Sequence, residues 1–244
     1  MTSKFIPRSR KHKPTDTEMA PPKLKVFIAV PARDDVKTGF AYDLANMVGF
    51  TAVHAPHVEL AITFTKSSLI QQGRTNLVKA ALSWPGVSHM LWLDSDMRFP
   101  KETLLRLLER GKDIVGCAYS TRGNPIQPIT FIGDVDLPNP ERFYLERGAT
   151  GLQEVTGTGF GVMLMDVDVF REMEKPWFAV GYCEAVDEYE GEDMYFFTKA
   201  RRNGRKVWID CDLSHSIGHL GEYEYFNEAA NIFRDAMAAE PAAV

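Results

Sequence analysis

Two carboxylates one residue apart, Asp94 and Asp96, stand directly behind the apolar run His89–Leu93 in the segment HMLWLDSDMRFPKETLLRLLER. Such a pair repels itself and resists desolvation unless a cation, backbone N–H groups or water compensate it. At the carboxyl end of a buried strand it sits where open α/β sheets bind ligands, which points to a metal or a phosphate. A turn, or the start of the helix Lys101 to Arg110 behind Pro100, uses the same residue types, so the pair alone leaves both readings open. A second acidic pair, Glu192 and Asp193, precedes the helical pattern Met194 to Asn203. Backbone N–H groups favour ionised carboxylates there, and capping accounts for them as well as chemistry does. Two histidines, His215 and His219, follow late in the chain, and neutral imidazole is a competent metal ligand beside carboxylates.

The elements that must position these groups alternate in type. Leu24 to Val30 reads as a buried strand ending at Pro31-Ala32-Arg33-Asp34, where Arg33 and Asp34 either hold a base, ribose or phosphate or form a solvated loop. The spacing predicts a helix over Gly39 to Val48, a strand over Glu59 to Phe64, and a helix over Leu69 to Trp84 with Ser67 and Ser68 as cap candidates. Arg74 and Asn76 interrupt that last helix. Arg74 is either a solvated helical residue or, turned toward the sheet edge, a fork suited to a diphosphate. Asp113 to Ala118 is a further strand, so the order β-α-β-α-β-α-β argues for a parallel α/β sheet. No GxGxxG follows the first strand and no GxxxxGK[ST] occurs, which removes the usual dinucleotide and P-loop readings.

Tyr119 to Glu154 loses the periodic pattern and reads as a loop-rich excursion with short antiparallel strands, a place for acceptor contacts. Gly157, Gly159 and Gly161 precede the strand Val162 to Met165 and permit close approach of a backbone or ligand, although a bulge or tight turn explains them as readily. Gly204 stops the helix, Lys206 to Asp210 is a final strand, and Glu228 to Met237 is an amphipathic helix before the tail Ala238 to Val244.

With 244 residues, 45% hydrophobic and 25% charged, the chain has the composition of one globular domain with appendages. Cys117, Cys183 and Cys211 form no CxxC pair, which argues against a thiolate zinc site and fits a reducing compartment. No apolar run approaches the roughly 20 residues of a membrane span, so a cytoplasmic location is expected. Residues 1–25 carry seven Lys or Arg against Asp16 and Glu18, in a chain whose net charge is −5. This basic arm holds too few apolar residues to order itself, and either contacts nucleic acid through phosphates or only aids solubility.

The segments LWLDSDMRFPKETL, DIVGCAYSTR, GTGFGVMLM, GEDMYFFTKARRNGRKVWID and DLSHSIGHLGE occur in a fixed order between Lys25 and Glu224. Together they resemble the GT-A glycosyltransferases, especially family 2-like members from bacteria and bacteriophages. The resemblance implies an α/β GT-A fold over 24–226, a Rossmann-like, mostly parallel central sheet flanked by helices, between an arm 1–23 and a C-terminal helix and tail 227–244. It implies metal-dependent transfer of a hexosyl group, with inversion, from a nucleotide sugar to an acceptor hydroxyl. Carried onto this chain, Asp96 is the principal metal ligand, Asp94 assists through the ribose or a metal-bound water, and His219, preferred to His215 for its GHLG setting, is the third ligand. Such a set suits magnesium or manganese, with the histidine favouring manganese.

The chemistry needs these types: a cation stabilises charge developing on the departing diphosphate, and a carboxylate removes the acceptor's proton. Asp193 resembles the general base of inverting members, with Glu192 in reserve; in a retaining enzyme the pair positions the acceptor. Pro31, Arg33, Asp34 and Ser95 then contact the nucleotide sugar, Arg74 its phosphates, and Gly159 and Trp177 the acceptor. The acceptor's identity stays open, the basic arm permitting phage-modified DNA. No membrane helices or long C-terminal extension of processive relatives follow, so a polymer synthase is not expected. A nucleotidyltransferase is the first alternative, but it calls for a glycine-rich basic loop where PARDDV stands. A non-catalytic domain binding a nucleotide or carbohydrate is the second, and the presence of both acidic motifs counts against it.

Overall fold

The computed structural model describes residues 23–123, 125–133, 141–184 and 187–222. Most of the basic arm and the helix expected over Glu228 to Met237 lie outside the described residues. In chain order the elements are β1 (Leu24–Ala32), α1 (Thr38–His54), β2 (Val58–Lys66), α2 (Ile70–Leu82), β3 (His89–Leu93), β4 (Met97–Arg98), α3 (Thr103–Glu109), β5 (Ile114–Gly116), β6 (Phe131–Ile132) and β7 (Glu141–Arg142). They continue with β8 (Leu152–Val155), β9 (Val162–Asp166), α4 (Asp168–Glu172), β10 (Gly181–Cys183), β11 (Glu188–Glu190), α5 (Glu192–Arg202), β12 (Val207–Asp210), α6 (Cys211–Ser214) and β13 (Gly218–His219).

Seven strands form the central sheet in the order β2-β1-β3-β9-β5-β12-β8. β1 runs parallel to β2 and β3, and β12 parallel to β5; only β9 and β8 run against their neighbours, so the sheet is mostly parallel. Helices cover both faces, which is why the inner strands are apolar at every position rather than at alternate ones. In β1, Phe27 and Ala29 pack with Leu77 and Val78 of α2 and Phe196 and Phe197 of α5. Val26, Ile28 and Val30 point the other way, toward Phe40, Leu44 and Met47 of α1 and Leu104 and Leu107 of α3.

Several boundaries differ from the sequence expectation for identifiable reasons. α1 continues past Val48 to His54, because Thr51 keeps the buried face going and His54 Nδ1 donates to the Phe50 carbonyl one turn back at 2.9 Å. Neither Arg74 nor Asn76 interrupts α2: Asn76 accepts a hydrogen bond from Gln72 on the surface at 2.9 Å, and Arg74 turns inward. Ser67 does not cap this helix; its hydroxyl accepts from Leu69 N–H at 3.1 Å in a local turn. The excursion after β5 holds the antiparallel pair β6 and β7, while β8 returns to edge the main sheet. Gly204, at φ +79°, ends α5, with Arg205 N–H on the Ala200 carbonyl and Gly204 N–H on that of Arg201, a Schellman closure. Among the described residues no helix is long and apolar enough to cross a membrane.

Two pieces of the fold serve the segment 94–96 directly. Every carbonyl of that turn is taken: Asp94 accepts from Met97 N–H at 3.1 Å, Ser95 from Lys37 N–H at 3.1 Å, and Asp96 from Leu220 N–H at 2.8 Å. β13 pairs antiparallel with β4, setting His219 opposite Met97. The chain reaches that pairing through Asp210, whose fully buried carboxylate caps α6 by accepting from Leu213 N–H at 2.8 Å and takes Arg110 Nε at 2.8 Å. Asp210→Ala strands both donors and should lower stability by roughly 2 kcal/mol, read as a shifted midpoint in urea unfolding, whereas Asp210→Asn keeps the cap and should lose less.

Candidate active site

The end of β3, the chain between β1 and α1, the loop after β5 and, through Arg74, the start of α5 meet at the Asp94–Asp96 turn. Its fixed point is Arg74, which is 3% exposed. The guanidinium donates from Nη2 to Asp94 Oδ1 at 3.1 Å and from Nε to Glu192 Oε1 at 3.0 Å, joining acidic motifs that are 98 residues apart in the chain. It lies 4.7 Å from the centre of the Phe160 ring and 5.7 Å from that of Trp92, over an aromatic floor continued by Phe170, Phe178 and Phe196. Nη1 is buried without a partner among the described residues. Burial works against the charge on Arg74, but Asp94 and Glu192 outweigh it and raise the pKa further. Arg74 therefore holds two carboxylates rather than standing free for a diphosphate.

Three aspartates meet three environments. Burial raises the pKa of Asp94, with Arg74 opposing and Asp96 adding to the shift. Asp96 is also partly desolvated, yet His219 and Arg122 outweigh that and pull its pKa down. Arg122 Nη1 lies 2.8 Å from Asp96 Oδ2, and His219 Nε2 lies 3.6 Å from Asp96 Oδ1. Asp193 is pushed up to about 6, first by burial and then by Glu192. Its Oδ1 accepts from Met194 N–H at 2.8 Å. The capping reading of the second pair thus holds only in part: the N-cap of α5 is Gly191, with no side-chain cap, and Glu192 turns to Arg74.

His219 stands between the Ser120 carbonyl and Asp96. Its Nδ1 is 2.8 Å from the Ser120 carbonyl, which fixes the proton on Nδ1 in the neutral ring and leaves the Nε2 lone pair toward Asp96. At 3.6 Å the Nε2–Oδ1 separation is too long for a good hydrogen bond and suits two ligands of one small cation. Burial disfavours the charged ring, but Asp96 and the Ser120 carbonyl prevail and raise its pKa. Among the described residues no group of three or more His, Cys, Asp and Glu is arranged around a common metal position. Asp94 faces Arg74, so Asp96 and His219 are the two donors that fit a divalent ion, a number that suits magnesium or manganese completed by water and phosphate. His215 is exposed and bonds the Ala149 carbonyl at 3.0 Å, away from this pair.

The remaining expected site residues are placed as follows. Pro31 and Arg33 line a hollow of about 160 Å³ with Thr65, Ser67, Ser68 and Gly73, at the carboxyl ends of β1 and β2. Arg33 and Asp34 are exposed and lie 3.6 Å apart, with Lys66 3.8 Å from Asp34. Ser95 contributes its carbonyl to the start of α1, as described above. Two expectations need correction. Trp177 is 4% exposed, and its indole N–H is shared between the Phe170 and Met173 carbonyls at 3.0 Å, which makes it a core residue with nothing to offer an acceptor. Gly159 is buried beneath Tyr119: a Cβ there would overlap the phenol oxygen.

Sequence reasoning passed over the loop from Tyr119 to Arg122. Tyr119 accepts from Gly161 N–H at 3.0 Å and sets its ring edge-to-face with His219 at 5.3 Å. Its pKa is driven well above 10, first by burial and then by Asp94, with Asp193 also contributing. The alternate glycines were the available signal. At Gly161 an added Cβ would come 2.7 Å from Tyr119 Cζ, so these positions make room for an aromatic ring.

No family model matches the sequence, and no curated protein matches it. Among solved structures the chain is similar to A197 from STIV, with 14% identity over 83% of this chain and 97% of that one, at a TM-score of 0.47. It is also similar to GalNAc-T7 with UDP, GalNAc and Mn2+, with 8% identity over 82% of this chain and 44% of the other, at 0.49. TarS 1-349 from S. aureus in complex with UDP-GlcNAc shows 15% identity over 85% of this chain and 61% of that chain, at 0.46. The chain thus spans less than two thirds of the last two structures.

Replacing Arg74 by Met leaves two buried carboxylates without a counter-charge, and should cost roughly 3–5 kcal/mol in denaturant unfolding. Adding Asp94→Asn to Arg74→Met should recover part of that loss; strict additivity of the two changes would show that Arg74 does not serve Asp94.

Proposed function

We propose that the protein transfers a sugar from a nucleoside diphosphate donor to an acceptor hydroxyl, with a divalent cation, magnesium or manganese, held by Asp96 and His219. One observation supports this reading: Arg74 joins Asp94 to Glu192, next to the buried Asp193, while His219 stands beside Asp96 in the same turn. When bound, the cation supplies electrostatic stabilisation for charge developing on the departing diphosphate.

The chain's own residues do the rest. Asp96 and His219 hold the cation's place, and Ser120 orients the imidazole through its carbonyl. Arg122, half-exposed beside Asp96, adds positive charge on the side open to a diphosphate. Pro31 and Arg33 border the hollow that takes the nucleoside, with Asp34 at its rim. Asp193 accepts the proton of the attacking hydroxyl. Burial makes it a stronger base than an ordinary aspartate, near the optimum for proton transfer around neutrality. Glu192, committed to Arg74, sets the position of Asp193 at the head of α5 rather than serving as the base. Inversion at the anomeric carbon accords with this single base. The acceptor is left as a hydroxyl-bearing molecule, the arm 1–23 being the segment that suits a nucleic acid.

Purified protein offered uridine, guanosine and other nucleotide sugars with manganese or magnesium should release nucleoside diphosphate from one of them. Absence of metal-dependent nucleotide binding across the panel, measured by calorimetry, defeats the proposal. Asp96→Ala should abolish that binding, whereas Asp193→Asn should bind donor normally and turn over about 10²–10⁴-fold more slowly.

The pH dependence follows from the raised pKa of Asp193. Its basic form is lost as pH falls through about 6, so the rate should drop tenfold per unit below that point and level off above it. The stability effect has the opposite sense: a carboxyl whose pKa is raised by folding favours the folded state when protonated, and that contribution is lost as pH rises through about 6. Asp193→Asn should accordingly melt at a higher temperature than the parent at pH 8, with the difference vanishing near pH 4.

A further inference from the structure

One face of the sheet is incompletely covered. Leu60, Ile62 and Phe64 of the edge strand β2 share the side on which α1 packs, yet Ile62 is 39% and Phe64 48% exposed. Between them and α1 runs an apolar groove of about 490 Å³ lined by Val36, Phe40, Ala41, Leu44, Ala45, Val48 and Gly49. A sheet of parallel strands is normally buried on both faces, so a groove of this kind lacks one covering layer.

The chain itself leads to this groove. Its last described residue, Glu222, has its carboxylate 3.3 Å from Lys37 Nζ, and Lys37 is the N-cap of α1, next to Val36, which lines the groove. Beyond it come 22 residues, 223–244, that lie outside the described residues. Within them Ala229, Ile232, Phe233, Ala236 and Met237 recur at helical spacing on one face, opposite Glu228, Asn231, Arg234 and Asp235. The lengths agree. A helix over residues 228–237 is about 15 Å long, and the ten-residue stretch of α1 from Phe40 to Gly49 rises about 14 Å from first to last. The five residues 223–227 reach at most about 18 Å, enough to carry the helix from Lys37 over the groove.

We propose that the C-terminal segment 223–244 lays an amphipathic helix in the groove between α1 and β2, with Ile232 and Phe233 against Ile62 and Phe64, and so completes the layer on this face of the sheet. The helix runs beside α1 from the end nearest the Asp94–Asp96 turn, because Lys37 N–H is bonded to the Ser95 carbonyl at that end.

Thiol labelling of the full-length chain tests this. Ile62→Cys is introduced with Cys183→Ser, leaving Cys117 and Cys211 buried, and the rate of maleimide reaction at position 62 is measured. Labelling should be slow, should accelerate at least tenfold when Phe233→Asp is added, and should not change when Asn231→Asp is added on the opposite face. Fast labelling in the parent overturns the proposal, as does slow labelling that Phe233→Asp leaves unchanged. Protection that disappears on dilution, with a mass in light scattering that falls in parallel, also overturns it and assigns the groove to a second copy of the chain.

Discussion

A guanidinium that cannot lose its proton, buried among aromatic rings, is stable only where carboxylates stand within reach. Arg74 meets that requirement with Asp94 from the turn after β3 and Glu192 from the start of α5. The position of every acidic group nearby follows. Asp94 is drawn toward α2 and away from Asp96, which leaves Asp96 free to pair with Arg122 and face His219. Glu192 is drawn in the same direction, and Asp193, next to it on the first turn of α5, is buried without an arginine of its own. One charge thus sorts four carboxylates into two that are held and two with their own chemistry.

That sorting explains how three aspartates of one site come to different acidities. Desolvation acts on all of them. It dominates at Asp94 and Asp193, but at Asp96 the neighbouring imidazole and guanidinium reverse it. A carboxylate whose pKa is lowered keeps its charge further into acid, and one that titrates near neutrality is suited to exchange a proton.

The parts of the fold and site that were legible in the sequence were those with a period or a fixed offset. β1, β3 and β9 showed as continuous apolar runs because both faces of the sheet are covered, and Asp94, Asp96, Glu192 and Asp193 showed because they follow or precede regular elements directly. His219 was singled out over His215 by the resemblance of its GHLG setting and not by any period: β4 and β13 are two residues each, too short to carry a pattern, and their pairing brings the imidazole to Asp96. Arg74 was visible without its role, since helical spacing does not say which way a lone arginine turns. Tyr119, Ser120 and Arg122 were missed because all act from a loop, and two of the contacts depend on a backbone carbonyl or on the absence of a side chain in the facing glycines. Trp177 misled for the converse reason, as an aromatic residue beside an acidic loop reads the same whether its ring faces solvent or the core.

The place of β9 in the sheet has a consequence for synthesis on the ribosome. β3 and β5 are close in the chain but not neighbours in space, because β9, ending at Asp166, lies between them and bonds to both. A nascent chain can pair β1 with β2 and β3 as soon as these emerge, but the two exposed edges on either side of the gap stay open until residue 166 has left the tunnel. Over that interval the Asp94–Asp96 turn lacks the Gly161 carbonyl that its first N–H requires. The Asp94–Asp96 end of the sheet therefore closes only after β9 has emerged, and a pause in translation before β9 would leave unpaired strand edges exposed to other chains.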